Sequence, residues 1–175
     1  MCKFVQVIYN PNLGLYANLD YISDIQKCYS RYAKYLQDDF MHFENDVYSF
    51  LAHTYPFFWA ILTRDDEFMG FVLLDNFIGN DNCLYSAELT TCFNRQAWGD
   101  FTKYCAKIFL KKCFDELGLS KIKAQVYPDN FRTKMLLKSA GFEYETTLKA
   151  ETLRKGKPQD LDVYALYRTY YYKTR

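Results

Sequence analysis

Histidine is scarce in this chain, with His42 and His53 the only two among 175 residues. Their separation fits no short metal motif, and Cys2, Cys28, Cys83, Cys92, Cys105 and Cys113 contain no Cys-x-x-Cys pair. A structural zinc module is thereby excluded, no metal is expected, and the thiols read as scattered core residues. Glycine and proline are also sparse, 7 and 4 residues, which excludes linker-rich and low-complexity architectures. Net charge is almost absent, 22 Lys+Arg against 21 Asp+Glu for a formal +1. That balance argues against nucleic acid as a partner and against a disordered polyelectrolyte. No apolar run approaches the roughly 18 residues of a membrane span, and Met1-Cys2-Lys3-Phe4-Val5 does not begin a secretory leader. A cytoplasmic address away from membranes is the expectation. What is plentiful is apolar surface, 50% hydrophobic and 19% aromatic residues. At about 150 residues per domain, one well-cored domain over 1–175 is predicted.

Periodicity divides the chain into elements. Phe4 to Tyr9 alternates weakly and ends at Asn10-Pro11-Asn12, a short strand and turn. Leu19, Ile22, Ile25, Cys28, Tyr29, Tyr32 and Leu36 recur at spacings of three and four, which predicts a helix, and a second runs from Glu44 to Thr54. Phe57 to Thr63, Phe68 to Leu74 and Leu84 to Phe93 read as an antiparallel meander, turning at Arg64 to Glu67 and Gly79 to Asn82. Asp100 to Leu117 is the clearest helix, with Phe101, Tyr104, Cys105, Ile108, Phe109, Cys113 and Phe114 as its apolar stripe and Gly118 as its stop. Lys121 to Val126 is a strand parallel to the third meander strand through a right-handed crossover. Asp129 or Asn130 caps a helix to Ser139, and Phe142 to Ala150 with Leu161 to Tyr170 form a terminal hairpin. The fold class is α+β (mixed α/β), an antiparallel meander joined to one βαβ unit with a C-terminal β-hairpin.

The junction Asn94-Arg95-Gln96-Ala97-Trp98-Gly99-Asp100 feeds the long helix, whose first amides and positive dipole end suit a pyrophosphate. Every helix has such an end, so a purely structural reading also stands on spacing alone. The order of motifs narrows the choice. Gln96-x-x-Gly99 between strand and helix, then Asn130-x-x-Thr133, Gly141-Phe142 and a terminal hairpin, resembles the GCN5-related N-acetyltransferase (GNAT) superfamily over Phe57 to Arg168. Ala87-Glu88-Leu89, Asn130-Phe131-Arg132-Thr133, Gly141-Phe142-Glu143-Tyr144-Glu145, Leu148-Lys149 and Asp160-Leu161-Asp162-Val163-Tyr164 are most similar to the branch that acetylates ribosomal-protein N-termini.

That resemblance implies acetyl-CoA as donor, wrapped by Gln96, Ala97, Trp98, Gly99, Asp100, Phe101 and Thr102, with Asn130 as a further contact. It implies a polarising backbone amide near the end of the third meander strand, Glu88 as candidate base and Thr133 as the hydroxyl that protonates the thiolate. A glutamate on a strand can equally be a bridging residue. The chain departs from the family at Phe101, where Gly or Ala is usual, and at Leu137, where many members carry a tyrosine. Glu151 is a second candidate base, one residue away from where the ribosomal-protein branch carries a carboxylate in the penultimate strand, a step that reverses the face unless a bulge restores it.

The implied acceptor is a protein or peptide α-amine. The alternatives are a small amine such as a polyamine, amino sugar or antibiotic, or acyl-CoA or protein binding without turnover. Lys149, Arg154, Lys155 and Lys157 read as a basic hairpin tip, solvated or attractive to an acidic acceptor or RNA. Tyr164, Tyr167, Tyr170, Tyr171 and Tyr172 read as packing or interface aromatics, with stacking on a ligand as the other option. His42 and His53 are given surface or packing roles.

Overall fold

The computed structural model describes residues 1–40, 47–80 and 82–173. His42 and the start of the second predicted helix lie outside them, as does Asp81. The chain forms two compact units, Met1–Leu74 with Thr90–Thr102, and Asp75–Leu89 with Lys103–Arg175. Two long strands, β5 (Phe68–Asn80) and β6 (Cys83–Phe93), pass through both. Hydrogen-bonded neighbours follow the order β1-β4-β5-β6-β7-β9-β8, with β2-β3 as a separate ribbon.

In the first unit, β1 (Cys2–Gln6) pairs antiparallel with β4 (Phe58–Thr63), and β4 with the first half of β5. Alternation puts Phe58, Ala60, Leu62, Phe71 and Leu73 on one face. Against them α1 (Ile22–Leu36) and α2 (Val47–Thr54) bury Ile25, Cys28, Tyr29, Val47 and Leu51. The rings of Phe58 and Phe71 stack at 5.4 Å. Gly70 lies where strands crowd, since a Cβ there would stand 2.2 Å from the carbonyl oxygen of Cys92. The predicted strand Phe4 to Tyr9 is two strands, β1 and β2 (Ile8–Asn10). Val7 between them donates its N–H to the Phe58 carbonyl at 2.9 Å, and β2 turns to pair with β3 (Leu15–Ala17). A pairing of three residues leaves too little pattern to read in advance.

In the second unit, β7 (Lys121–Val126) runs parallel to β6 over Ser86–Glu88 and antiparallel to β9 (Lys157–Tyr167), which pairs with β8 (Glu143–Arg154). The crossover helix α3 (Asp100–Asp115) buries Cys105, Phe109, Leu110, Cys113 and Phe114. Tyr104 and Ile108, placed on the buried stripe by the sequence, are exposed. Each precedes a buried residue by one position, about 100° around the helix. Burial pushes the Cys113 thiol up to about 12. Asn130 is the cap of α4 (Phe131–Ser139), its Oδ1 accepting from the Thr133 amide at 3.3 Å.

The terminal hairpin turns at Lys155-Gly156, and the predicted strand to Tyr170 stops at Tyr167, giving way to α5 (Arg168–Lys173). Aromatic content favours strand there, but the ladder has ended. The Arg168 amide donates to the Ser120 carbonyl at 2.9 Å, and Tyr171 is buried with its ring 5.0 Å from that of Phe114. Residues of the basic tip find partners within the fold. Arg154 bonds Asp129 at 3.3 Å and lies over the Tyr127 ring, and Lys149 pairs with Asp160 at 2.7 Å.

One charge cluster ties α4 to β9. Lys134 donates to Asp162 Oδ2 at 2.5 Å and Thr147 to Oδ1 at 2.6 Å, with Tyr144 OH within 2.8 Å of the Thr147 hydroxyl. Burial pushes the Asp162 carboxyl up, but these donors outweigh it and hold it below the usual range. A carboxylate depressed by folding contributes stability above its unfolded value of about 3.9 and loses it as pH falls through the folded value. Asp162→Asn is therefore expected to lower the melting temperature at pH 7 and to make little difference near pH 2, as thermal melts at the two pH values would read.

Candidate active site

The loop that the sequence singles out is assembled within the first unit. Asn94 N–H donates to the Met69 carbonyl at 2.8 Å and a tight turn follows over Arg95–Ala97, closed by the Trp98 amide on the Arg95 carbonyl at 3.2 Å. Ala97 is buried, and its carbonyl accepts from Thr102 Oγ1 at 2.6 Å, which fastens the loop to the first turn of α3. Gln96 is exposed, with Nε2 3.5 Å from Met69 Sδ, and Trp98 Nε1 donates to the Phe93 carbonyl at 3.3 Å.

Gly99 has φ +106, and a Cβ there would meet nothing within 4 Å. The loop is therefore open above Gly99, and the first α3 amides beyond it have no acceptor within the helix. Asp100 is exposed and Phe101 half-buried. A chain so arranged fits a pyrophosphate: open space, a helix N-terminus, and a backbone conformation that a side chain would strain.

From α1, two side chains reach this loop. Arg31 Nη1 donates to Asn94 Oδ1 at 3.2 Å, and the Tyr32 ring lies 5.9 Å from that of Trp98. Two residues before Asn94, Cys92 Sγ lies 3.5 Å from Cys28 Sγ. The hydrogen bond with Cys28 and burial push the Cys92 thiol up, so at neutral pH Cys92 is a packed thiol.

The chemistry-bearing side chains lie in the second unit. Glu88, on β6, is held by three donors: Asn76 Nδ2 at 2.8 Å, Gln125 Nε2 at 2.8 Å and Lys123 Nζ at 3.3 Å. A carboxylate has about four acceptor positions, so one is left for a further donor. The parallel register ends here, at the pair Glu88↔Lys123, while β7 continues to Val126 against β9. Asn130 and Thr133 are joined to each other at the start of α4 and, among the described residues, make no contact with Glu88. The Thr133 hydroxyl and the Asn130 Nδ2 donors are without partners among the described residues. Leu137 is buried in α4.

Glu151 has the irregularity it requires. Leu148 pairs with Leu161 and Thr152 with Gln159, four steps along β8 against two along β9, with Ala150 at φ +51. Asp160 holds this bulge through the Ala150 amide at 3.0 Å, and Glu151 is exposed.

Sequence reasoning missed Asn76, Lys123 and Gln125. Alternation puts Lys123 and Gln125 on one face of their strand, but only the register sets that face beside Glu88. It also missed Arg31, which lies off the apolar stripe of α1.

The family of acetyltransferase (GNAT) domains matches residues 23–143. None of the curated proteins matches the chain. Among solved structures, the spermidine N-acetyltransferase from Vibrio cholerae in complex with CoA and spermine is 21% identical, with a TM-score of 0.69 over 88% of this chain and 92% of that one. A chimera of the Vibrio cholerae spermidine N-acetyltransferase SpeG and hSSAT is 19% identical, with a TM-score of 0.76 over 98% of both chains. A GNAT-family acetyltransferase from Bacillus anthracis is 16% identical, with a TM-score of 0.70 over 86% of this chain and 90% of that one. The finer resemblance to the branch acting on ribosomal-protein N-termini finds no support in these structures. With that match spanning residues 23–143, well over half of its length, this chain belongs to the GNAT family of N-acetyltransferases.

Proposed function

We propose that this protein transfers the acetyl group of acetyl-CoA to the primary amine of a small molecule of polyamine type. The observation that carries the donor half is the loop from Asn94 to Thr102, fastened by the Thr102 hydroxyl and open above Gly99. Gln96, Gly99, Asp100, Phe101 and Thr102 would hold the pyrophosphate through the backbone, so the bulk of Phe101 need not interfere, while Ala97 and Trp98, whose amides close the turn on the Asn94 and Arg95 carbonyls, shape the loop around it. The donor supplies an activated thioester. Within the second unit, the Nδ2 of Asn130 and the hydroxyl of Thr133 remain as donors.

Support for the acceptor comes from the names of the structural relatives, spermidine N-acetyltransferases, one of them with spermine bound. These relatives favour a small amine over the protein N-terminus that the motifs suggested. The chemistry agrees with a site built around a base. An amine with a pKa near 10.4 is only about 0.1% neutral at pH 7.5, whereas an N-terminal amine near 7.8 is about a third neutral. A polyamine therefore needs a proton acceptor more, and Glu88, with one acceptor position left, is the residue for it.

The test offers spermidine, an aminoglycoside, Ser- and Ala-starting peptides, and N-terminally blocked lysine peptides at equal concentration with labelled acetyl-CoA. Spermidine is expected to be labelled well ahead of every peptide. Faster labelling of the free peptide N-termini would return the reading to α-amines, and CoA binding without any transfer would favour a non-catalytic acyl-CoA module.

A further inference from the structure

The geometry points to Arg31 as a phosphate-binding side chain, supplied from α1 to the donor loop. This rests on the proposed use of acetyl-CoA. Arg31 is exposed, and its Nη1 reaches Asn94 Oδ1, at the first residue of the loop, at 3.2 Å. Asn94 is neutral, and among the described residues Arg31 makes no ion pair, nor does the exposed Arg95 beside it. Two guanidinium groups thus flank the start of a loop whose other side-chain donors, Gln96, Trp98 and Thr102, are uncharged.

Helix α1 is also held in place at this point. The Tyr32–Trp98 ring contact and the buried Cys28–Cys92 pair fix the turn carrying Arg31 against the loop and the strand that enters it. The exposed face of the same helix lines a shallow groove with Ser23, Gln26, Lys27, Ser30 and Arg31. Lys27 pairs with Asp24 at 3.7 Å, so Arg31 is the cation of this groove left for a polyanion, beside two hydroxyls and an amide. A planar guanidinium forms paired bonds to phosphate oxygens that a lysine ammonium cannot reproduce.

The experiment compares the parent, Arg31→Gln and Arg31→Lys with three donors: acetyl-CoA, its 3′-dephospho form and S-acetylpantetheine, which carries no nucleotide phosphate. Circular dichroism checks that each variant is folded, as expected for a change on an exposed helix face. Loss of one charged hydrogen-bond partner should raise the dissociation constant of CoA about tenfold in Arg31→Gln. The preference for acetyl-CoA over S-acetylpantetheine, measured as a ratio of kcat/KM, should fall by the same factor, with Arg31→Lys between. A loss that persists with the dephospho donor identifies the pyrophosphate as partner; one confined to full acetyl-CoA identifies the 3′-phosphate. An unchanged CoA dissociation constant, or an equal loss for all three donors, overturns the assignment, the latter by showing that Arg31 only shapes the loop. Failure of the parent itself to bind CoA would instead overturn the proposed function.

Discussion

Gly99→Asp is expected to abolish coenzyme A binding. In the parent, ligand at one hundred times its dissociation constant adds about 2.7 kcal/mol, and for a chain of this size raises the melting temperature by roughly 5 to 10 °C. The variant should show no rise. Two causes act together, and a third is absent. At φ +106 any side chain is strained, and the new carboxylate repels phosphate where α3 begins, but a Cβ meets nothing within 4 Å and so no clash contributes. Gly99→Ala separates the two. It keeps the strain, typically about 1 to 3 kcal/mol, without the charge, and should retain weakened binding. A full melting shift in Gly99→Asp would place the phosphates elsewhere.

The second large effect is expected at Glu88. Glu88→Gln keeps the size of the side chain but removes the group proposed to take the acceptor's proton, and a base contributes typically 10² to 10⁴ in turnover. Turnover with spermidine should fall within that range while the dissociation constant of CoA stays near that of the parent, because the donor loop makes no use of Glu88. For an amine with a pKa near 10.4, the parent rate should climb with pH as the neutral amine becomes more abundant. In the variant the loss should be largest at low pH, where neutral amine is scarcest. If the two rate-against-pH curves overlay, the carboxylate is structural, a brace between Asn76, Lys123 and Gln125.

Much of the architecture was legible because long elements repeat their pattern. The heptad-like spacing in α1, the alternation in β4 and the bounded apolar run of β7 are each settled by burial on one face, and the order of strand, loop and helix around Gln96 and Gly99 follows from them. Where elements are short, local pattern failed. The three-residue strands β2 and β3 have no period to detect, and the tyrosines after Arg168 favour a strand that has no ladder left to join. At the end of the hairpin the sequence suggested free positive charge, whereas Arg154 and Lys149 find carboxylates on neighbouring segments.

By itself the amino-acid sequence determined the class of the fold, the place of the loop between β6 and α3 and the cap of α4, because these depend on residues within a few positions of one another. It also brought Glu88 and Glu151 forward as candidates but could not give them neighbours. Tertiary structure alone decided that Lys123 and Gln125 stand beside Glu88, since a one-residue slip in the parallel register would turn both away. It decided that Ala150 and Asp160 build the bulge next to Glu151. It also decided that Arg31, 63 residues before Asn94, meets the start of the loop. Contacts at such separation depend on how strands register and helices dock, and neither periodicity nor composition encodes that within any one segment.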